Sequence, residues 1–289
     1  MENFEGKIAV VTGGASGMGR ELVIQLAGDG CNVAMCDLSV EEMAGTREWA
    51  LAGAPDVRIT THLCDVSDEA SILGLRDEVI AEHETDHIDL LFNNAGLSGG
   101  GSVITDTREA WDRCFGVCWG GVYYGTRAFL PLLMAAEEAH IVNTSSINGF
   151  WASLGPDRPH TAYSTAKFAV KGFSEALITD LRINAPHVKV SVVMPGHIGT
   201  SIVENSMRHG ADEVDFESAE LVQAVSTMFR ENAPMTAAEA AAVILDGVRT
   251  DRWRILVGDD AHGLDEAVRA DPEGAYDGLT LGPLTSPED

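Results

Sequence analysis

Tyr163 and Lys167 stand four residues apart in the stretch Tyr163-Ser-Thr-Ala-Lys167, a spacing that puts a phenol and an ammonium on one face of a helix. A free phenol has a pKa of about 10 and is a poor base near neutrality, but a neighbouring positive charge favours its phenolate. Lys167 can supply that charge, so the pair can give and take a proton. Alone, such a pair reads as a solvated helix face. It gains meaning only if the chain also holds something that moves electrons.

The N-terminal region meets that need. Ile8-Ala-Val-Val-Thr12 is a short apolar run, Gly13-Gly14-Ala15-Ser16-Gly17-Met18-Gly19 follows it, and Arg20 to Ala27 has apolar residues at helical spacing. In such a strand, turn and helix, the glycines let the backbone approach a pyrophosphate, and the free N–H groups of the helix N-terminus face its charge. The next apolar run, Asn32 to Cys36, ends in Asp37, eighteen residues beyond Gly19. A carboxylate there can hold the ribose hydroxyls of a dinucleotide and repels a 2′-phosphate. Neither Ser16 nor Leu38 offers a cation to such a phosphate, so the expected cofactor is NAD rather than NADP.

Further apolar runs end in the same manner. Arg58 to Cys64 leads to Asp65 and Val66, which can flank adenine. Ile88 to Phe92 leads to Asn93-Asn94-Ala95-Gly96, His140 to Thr144 leads to Ser145 and Ser146, and Lys189 to Val193 leads to Met194-Pro195-Gly196-His197-Ile198-Gly199-Thr200. Ligands of doubly wound sheets bind outside the carboxyl ends of the strands, and packing alone does not ask every run to end in small or polar residues. The expected fold is α/β: a doubly wound Rossmann-type sheet, mostly parallel, with helices on both faces, in a single domain over residues 1–258. A last strand is expected at Arg254 to Val257, and a helix from Tyr163 to Leu181 with Ala166, Val170, Phe173 and Leu177 at helical spacing.

Over about residues 5 to 258 the chain resembles the short-chain dehydrogenase/reductase family. The matching residues are Thr12-Gly13-x3-Gly17-x-Gly19, Asp65, Asn93-Asn94-Ala95-Gly96, Ser146, Tyr163-x3-Lys167 and Pro195-Gly196-x3-Thr200. The resemblance implies that Tyr163 is the general acid and base. Lys167 then holds the nicotinamide ribose and lowers the Tyr163 pKa, while Ser146 hydrogen-bonds the substrate oxygen and Ser145 is a structural partner. It further implies cofactor contacts at Gly13, Ser16, Gly17, Met18, Gly19, Asp37, Leu38, Asp65, Val66, Asn93, Ala95, Gly96, Tyr163, Lys167, Pro195, Gly196, Ile198 and Thr200.

Two departures stand out. The interval from Ser146 to Tyr163 is about four residues longer than the family's, through Gly155 to His160, at little cost in loop-closure entropy. Seven residues after Trp111 the family carries an Asn in a water relay behind the lysine, and this chain has Cys118, a weak donor and acceptor. The expected effect is a modest penalty in turnover.

The resemblance puts a substrate lid at about residues 200–235. Ile202, Val203, Met207, Phe216, Leu221, Val222, Met228 and Phe229 make that segment apolar. With Phe150, Trp151, Ile202 and Val203 as pocket residues and Tyr124 nearby, a bulky aromatic substrate is expected. Within the family, the opening Phe4 to Gly17 and the extended C-terminal part resemble the bacterial Cα-dehydrogenases of lignin-derived β-aryl ethers, which oxidise a benzylic secondary alcohol with NAD. Competing readings are a steroid or small aliphatic alcohol dehydrogenase, and a non-catalytic NAD-binding sensor.

A net charge of −26 argues against nucleic acid and anionic membrane partners, both of which need clustered cations. Five cysteines at positions 31, 36, 64, 114 and 118 lack metal-type spacing and read as buried thiols, so no metal is expected. Without a signal peptide or an apolar stretch of membrane length, a reducing cytoplasm is the expected compartment. Residues 259–289 form an acidic extension, partly helical around Leu264 to Val268, read as surface or oligomer-edge material. The resemblance implies a homodimer or homotetramer built on the outer faces of the Tyr163 helix and the long helix before it.

Overall fold

Seven apolar runs become strands because helices cover both of their faces. The computed structural model describes residues 1–155, 158–209 and 216–277. The strands are β1 (Ile8–Thr12), β2 (Asn32–Asp37), β3 (Ile59–Leu63), β4 (Leu90–Asn93), β5 (Ala139–Thr144), β6 (Val188–Pro195) and, last in the chain, β9 (Arg254–Val257). They lie in the order β3-β2-β1-β4-β5-β6-β9, with every neighbouring pair parallel. The sheet is thus parallel throughout rather than mostly so, since each crossover runs through helix. Strand order reverses between β1 and β4, which opens the crevice of a doubly wound sheet there.

The pleat sorts side chains between two cores. Val10 of β1 packs with Ile72, Phe129 and Leu177, from α3 (Glu69–His83), α5 (Gly121–Ala135) and α6 (Thr161–Asn184). Its neighbours Ala9 and Val11 pack with Leu22, Met43 and Ile244, from α1 (Gly17–Gly28), α2 (Val40–Gly53) and α9 (Ala237–Arg249). Burial on both faces is why these strands read as continuous apolar runs rather than alternating ones.

Between α3 and α5 lie β4 and α4 (Arg108–Phe115), and a π-helical turn, Gly116–Gly120, joins α4 to α5. Cys118 sits in that widened turn and is fully buried. After β6 a short parallel pair, β7 (Ile198–Gly199) and β8 (Met235–Thr236), brackets α7 (Ile202–His209) and α8 (Phe216–Glu231). These helices fall in the span expected for the lid. The side chains of Phe216, Leu221 and Val222 lie outside the described residues, as do Pro156 and Asp157 of the longer loop and residues 278–289 of the tail.

The acidic extension is expected to pack on or near the domain, and its described part, residues 259–277, is partly helical. It forms α10 (Asp259–Ala270) and a 3₁₀ turn, Gly274–Tyr276, which pack on the loop after β5. Trp151 Nε1 donates to the Ala275 carbonyl at 2.9 Å, and the Tyr276 hydroxyl accepts from the Ala152 N–H at 3.0 Å. A buried indole N–H needs an acceptor, and the chain supplies one more than a hundred residues further along. Charge is met locally as well: Asp265 of α10 bonds Arg254 at 3.0 Å and Arg269 at 3.1 Å.

Candidate active site

Helix α6 brings Tyr163 and Lys167 to the carboxyl end of β5. Trp111 Nε1 donates to Thr161 Oγ1 at 3.2 Å at the start of the helix, and Ala162, Ala166 and Val170 bury the sheet-facing side. A polar network sets its register deep in the core. Asn143 Nδ2 donates to Ser174 Oγ at 3.0 Å, while its Oδ1 accepts from Asn93 Nδ2 at 2.9 Å. Buried hydrogen bonds of this kind fix the register of the elements they join, although the Asn93 Oδ1 has no partner among the described residues.

Ser145 Oγ donates to the Lys167 carbonyl at 2.7 Å, so it ties the strand end to α6. Ser146 begins the 3₁₀ turn Ile147–Gly149, where its Oγ accepts from the Asn148 N–H at 3.1 Å, and it lines the same cleft as Tyr163. Lys167 is buried, its Nζ donating to the Thr144 carbonyl at 2.9 Å and lying 5.3 Å from the Tyr163 ring centroid. Burial pushes the Tyr163 phenol up from its ordinary pKa, negative charge on Cys118 would add to the rise, and the nearby Ser146 hydroxyl opposes it. Desolvation is the largest of these influences, and the Lys167 ammonium is turned to the Thr144 carbonyl.

Cys118 lies close behind. Its thiol donates to the Leu97 carbonyl at 3.2 Å, and a Cβ on Gly96 would stand 3.5 Å from Lys167 Nζ and 3.8 Å from Cys118 Sγ. Sulfur and ammonium therefore flank one small space. Hydrogen bonding from Cys114 pulls the Cys118 pKa down, burial opposes that, and the Lys167 charge assists it. All five cysteines are free and buried.

Ser146, Tyr163 and Lys167 open onto a cleft of about 830 Å³ that the glycine-rich turn also lines. Gly13 has φ +69°, and a Cβ there would meet Ala95 Cα at 2.9 Å, so only glycine fits the junction of β1 and β4. Thr12 Oγ1 accepts from the N–H groups of Asn94 and Ala95, both at 3.0 Å, and closes that junction. Asp37 Oδ2 accepts from the Ala15 N–H at 3.2 Å and Oδ1 from the Leu38 N–H at 2.7 Å, with the carboxylate lining the cleft. Ser16 caps α1 without a side-chain bond to the helix, leaving the first-turn N–H groups open to an anion. Donor turn, ribose-end acid and apolar walls at Val66 and Ile198 fit a nicotinamide dinucleotide.

Ser146, Tyr163 and Lys167 lie in one cleft with Gly13, Ser16, Gly17, Met18, Asp37, Leu38, Asp65, Val66, Ala95, Gly96, Pro195, Gly196, Ile198 and Thr200. Ile202 and Val203 line it too. Four expected residues do not. Asn93 is turned into the core, its Nδ2 bonding Asn143 and Thr126, because strand alternation gives the cleft to Asn94 instead. Gly19 serves packing, since a Cβ there would overlap the Gly13 carbonyl. Trp151 is fully buried against the C-terminal turn, and Phe150 lies under the Arg254 guanidinium, 5.8 Å from ring centroid to Cζ. Tyr124 likewise packs on the core.

The substrate end is instead walled by Leu97, Ile147, Leu154, Val225 and Phe229, and by Gly263, Leu264 and Ala267 of α10. Asp260 fastens the start of α10 to this wall, its Oδ2 accepting from the His197 N–H at 2.6 Å. Helix α7 closes from the other side. Asn205 Nδ2 donates to Ser16 Oγ at 2.8 Å, Arg208 pairs with Glu42 at 2.9 Å, and Ser206 Oγ accepts from the Ser98 N–H at 2.7 Å. Glu42, at the Asp37 end, had no motif to mark it, and neither had Leu264 or Ala267.

The family model for short chain dehydrogenases matches residues 7–210. SadH of Mycobacterium tuberculosis, described as an oxidoreductase, is 34% identical over 271 residues, covering 93% of this chain and 92% of that one. Cyclopentanol dehydrogenase of Comamonas testosteroni is 34% identical over 205 residues, covering 71% and 78%. A short-chain dehydrogenase from Burkholderia phymatum, solved with NAD, superposes with TM-score 0.82 at 26% identity, covering 99% of this chain and 100% of that one. A metagenomic short-chain oxidoreductase solved with NADP superposes with TM-score 0.59 at 27% identity, covering 78% and 92%. The same fold thus accepts either dinucleotide, and residues at the ribose end must decide between them.

Proposed function

The chain belongs to the short-chain dehydrogenase family, and from that premise we propose that it is an NAD-dependent dehydrogenase of bulky secondary alcohols. The observation that carries the reading is the shared cleft: Ser146 and Tyr163 line it together beside the buried Lys167 ammonium, and Asp37 lines it with the glycine-rich turn. Bound there, NAD would supply the hydride acceptor. Ser146 holds the substrate oxygen and steadies the developing alkoxide. Tyr163 takes the hydroxyl proton as the carbinol is oxidised and returns it in reduction. Lys167 stabilises phenolate and orients the ribose.

Asp37 and Glu42 both line the ribose end, while Arg20 is drawn back, its Nε bonding the Ala15 carbonyl at 2.9 Å and its guanidinium 4.9 Å from the Trp49 ring centroid. Among the described residues Asp37 has no ion-pair partner, while Arg208 is engaged by Glu42, and an unpaired carboxylate at this end favours NAD over NADP. The apolar wall from Leu97 to Leu264 favours a bulky substrate. A benzylic alcohol, such as the Cα-alcohol of a lignin-derived β-aryl ether, is the aromatic version to test first; Phe229 supports it, but Phe150 and Trp151 no longer do. In this reading residues 200–235 act as the lid, residues 259–289 as an extension that completes the pocket, and the free thiols suit the cytoplasm. Assembly as a homodimer or homotetramer through α5 and α6 is part of the proposal, with light scattering as its check.

The test is NADH formation at 340 nm with NAD and NADP compared across benzylic, steroidal and aliphatic alcohols. We expect NAD-linked activity that Tyr163→Phe lowers by about a hundredfold or more. Binding of NAD with no turnover of any alcohol or ketone would overturn the enzyme reading in favour of a sensor.

A further inference from the structure

Proton transfer and cofactor binding leave one buried polar group of the cleft without work. His160 is 9% exposed and lines the cleft, its ring lying flat on Tyr163 with centroids 4.6 Å apart and planes 14° apart. Its Nε2 stands 3.5 Å from Ser98 Oγ, at the far limit of a hydrogen bond, and its Nδ1 has no partner among the described residues. Burial pulls its pKa down to about 4, so the ring is neutral, with one nitrogen donating and the other accepting. Leu97, Ile147, Leu154 and Phe229 make the surrounding wall apolar. A half-satisfied imidazole in such a wall is costly unless something completes it.

We infer that His160 is a specificity-determining residue that binds a second oxygen of the substrate, close to the carbinol that Tyr163 deprotonates. The inference rests on the dehydrogenase reading and deepens it. The imidazole lies flat on the phenol ring and lines the same cleft, so an oxygen that it held would sit within a few bonds of the carbinol that Tyr163 deprotonates. The substrate class is then a bulky secondary alcohol with a vicinal or 1,3-related hydroxyl, ether or carbonyl oxygen. Ser98 assists, because its N–H is held by Ser206 of α7 and its hydroxyl remains beside His160.

The test compares 1-phenylpropane-1,2-diol, oxidised at its benzylic carbon, with 1-phenylpropan-1-ol. The wild-type protein should favour the diol by at least about tenfold in kcat/KM. His160→Phe keeps a flat ring on Tyr163 and should bring the ratio close to one, whereas His160→Gln should retain part of the preference. Equal losses on both alcohols, or a wild-type ratio near one, would overturn the inference. Thermal unfolding of each variant separates this from misfolding. If neither alcohol is oxidised, the dehydrogenase reading fails by itself, and calorimetry of the two alcohols with the NADH-loaded protein decides on His160. Tighter binding of the diol, lost in His160→Phe, supports it; equal binding refutes it.

Discussion

Replacing Asp37 with Asn should cost NAD affinity and gain NADP affinity, and both parts follow from where the carboxylate stands. It ends β2, accepts backbone N–H groups from Ala15 and Leu38, and lines the cleft beside Glu42. Hydrogen bonds from ribose hydroxyls to a carboxylate contribute about 1.5–3 kcal/mol, so their weakening lowers NAD affinity by roughly 10- to 150-fold. Two unit charges 4 Å apart repel by about 4 kcal/mol at an effective dielectric of 20. About half of that survives at the solvent-facing end of a cleft, so relief of repulsion should tighten NADP by roughly 30-fold. The preference ratio therefore falls by about two and a half to three and a half orders of magnitude. Asn cannot accept both backbone N–H groups, but that loss weakens the two cofactors alike and leaves the ratio as the readout. Calorimetric titration with NAD and NADP at low and high salt measures it, and the NADP gain should shrink as salt rises. An unchanged ratio, or a wild-type protein that prefers NADP, would refute the reasoning.

Ala267→Phe fills the α10 wall and should raise KM for bulky alcohols by about tenfold or more while leaving NAD affinity intact; parallel kinetics on cyclopentanol and a bulky benzylic alcohol check this. Cys118→Asn restores the family's relay residue and removes a group that raises the Tyr163 pKa. Turnover should rise, roughly two- to tenfold, and the acid limb of the oxidation profile should move to lower pH; no rise counts against the relay. His140 is buried with a pKa of about 4, set mainly by desolvation, against about 6.5 in an unfolded chain. The unfolded chain thus binds more protons between those values, so its contribution is complete above pH 6.5 and disappears as pH falls to 4, about 3 kcal/mol in all. Urea unfolding at pH 7.5 and pH 5 should show a shallower pH slope for His140→Gln than for wild type, and equal slopes would exclude the effect.

What could be read from residues alone was whatever is local. Each strand end carries its cofactor contacts within a few residues of an apolar run, so Gly13 to Met18, Asp37 and Gly196 could be placed before any coordinates. Asn93 and Asn94 were separable in principle, since the two-residue period of β4 gives the core to one and the cleft to the other. The substrate wall was different. Its members come from α8, α10 and the loop before α6, and their meeting depends on long-range packing that no periodicity records. Trp151 was misread for the same reason: nearness to Ser146 in sequence does not say which way a buried indole faces, and its acceptor lies at Ala275. How far burial pushes up the Tyr163 phenol was likewise invisible in the spacing of Tyr163 and Lys167.

The bond from Trp151 to Ala275 and that from Ala152 to the Tyr276 hydroxyl join two stretches that share neither a strand nor a cofactor contact. On the proposed reading, selectivity is in this sense an attachment to the hydride and proton machinery. A descendant could acquire a new taste in substrates by exchanging the α10 wall, with Ser146, Tyr163, Lys167 and Asp37 untouched. The exchange would succeed only as a matched set, because a foreign extension without a carbonyl to receive the indole would strand a buried donor. Residues 147–155 and 259–277 should therefore be inherited, grafted and engineered together.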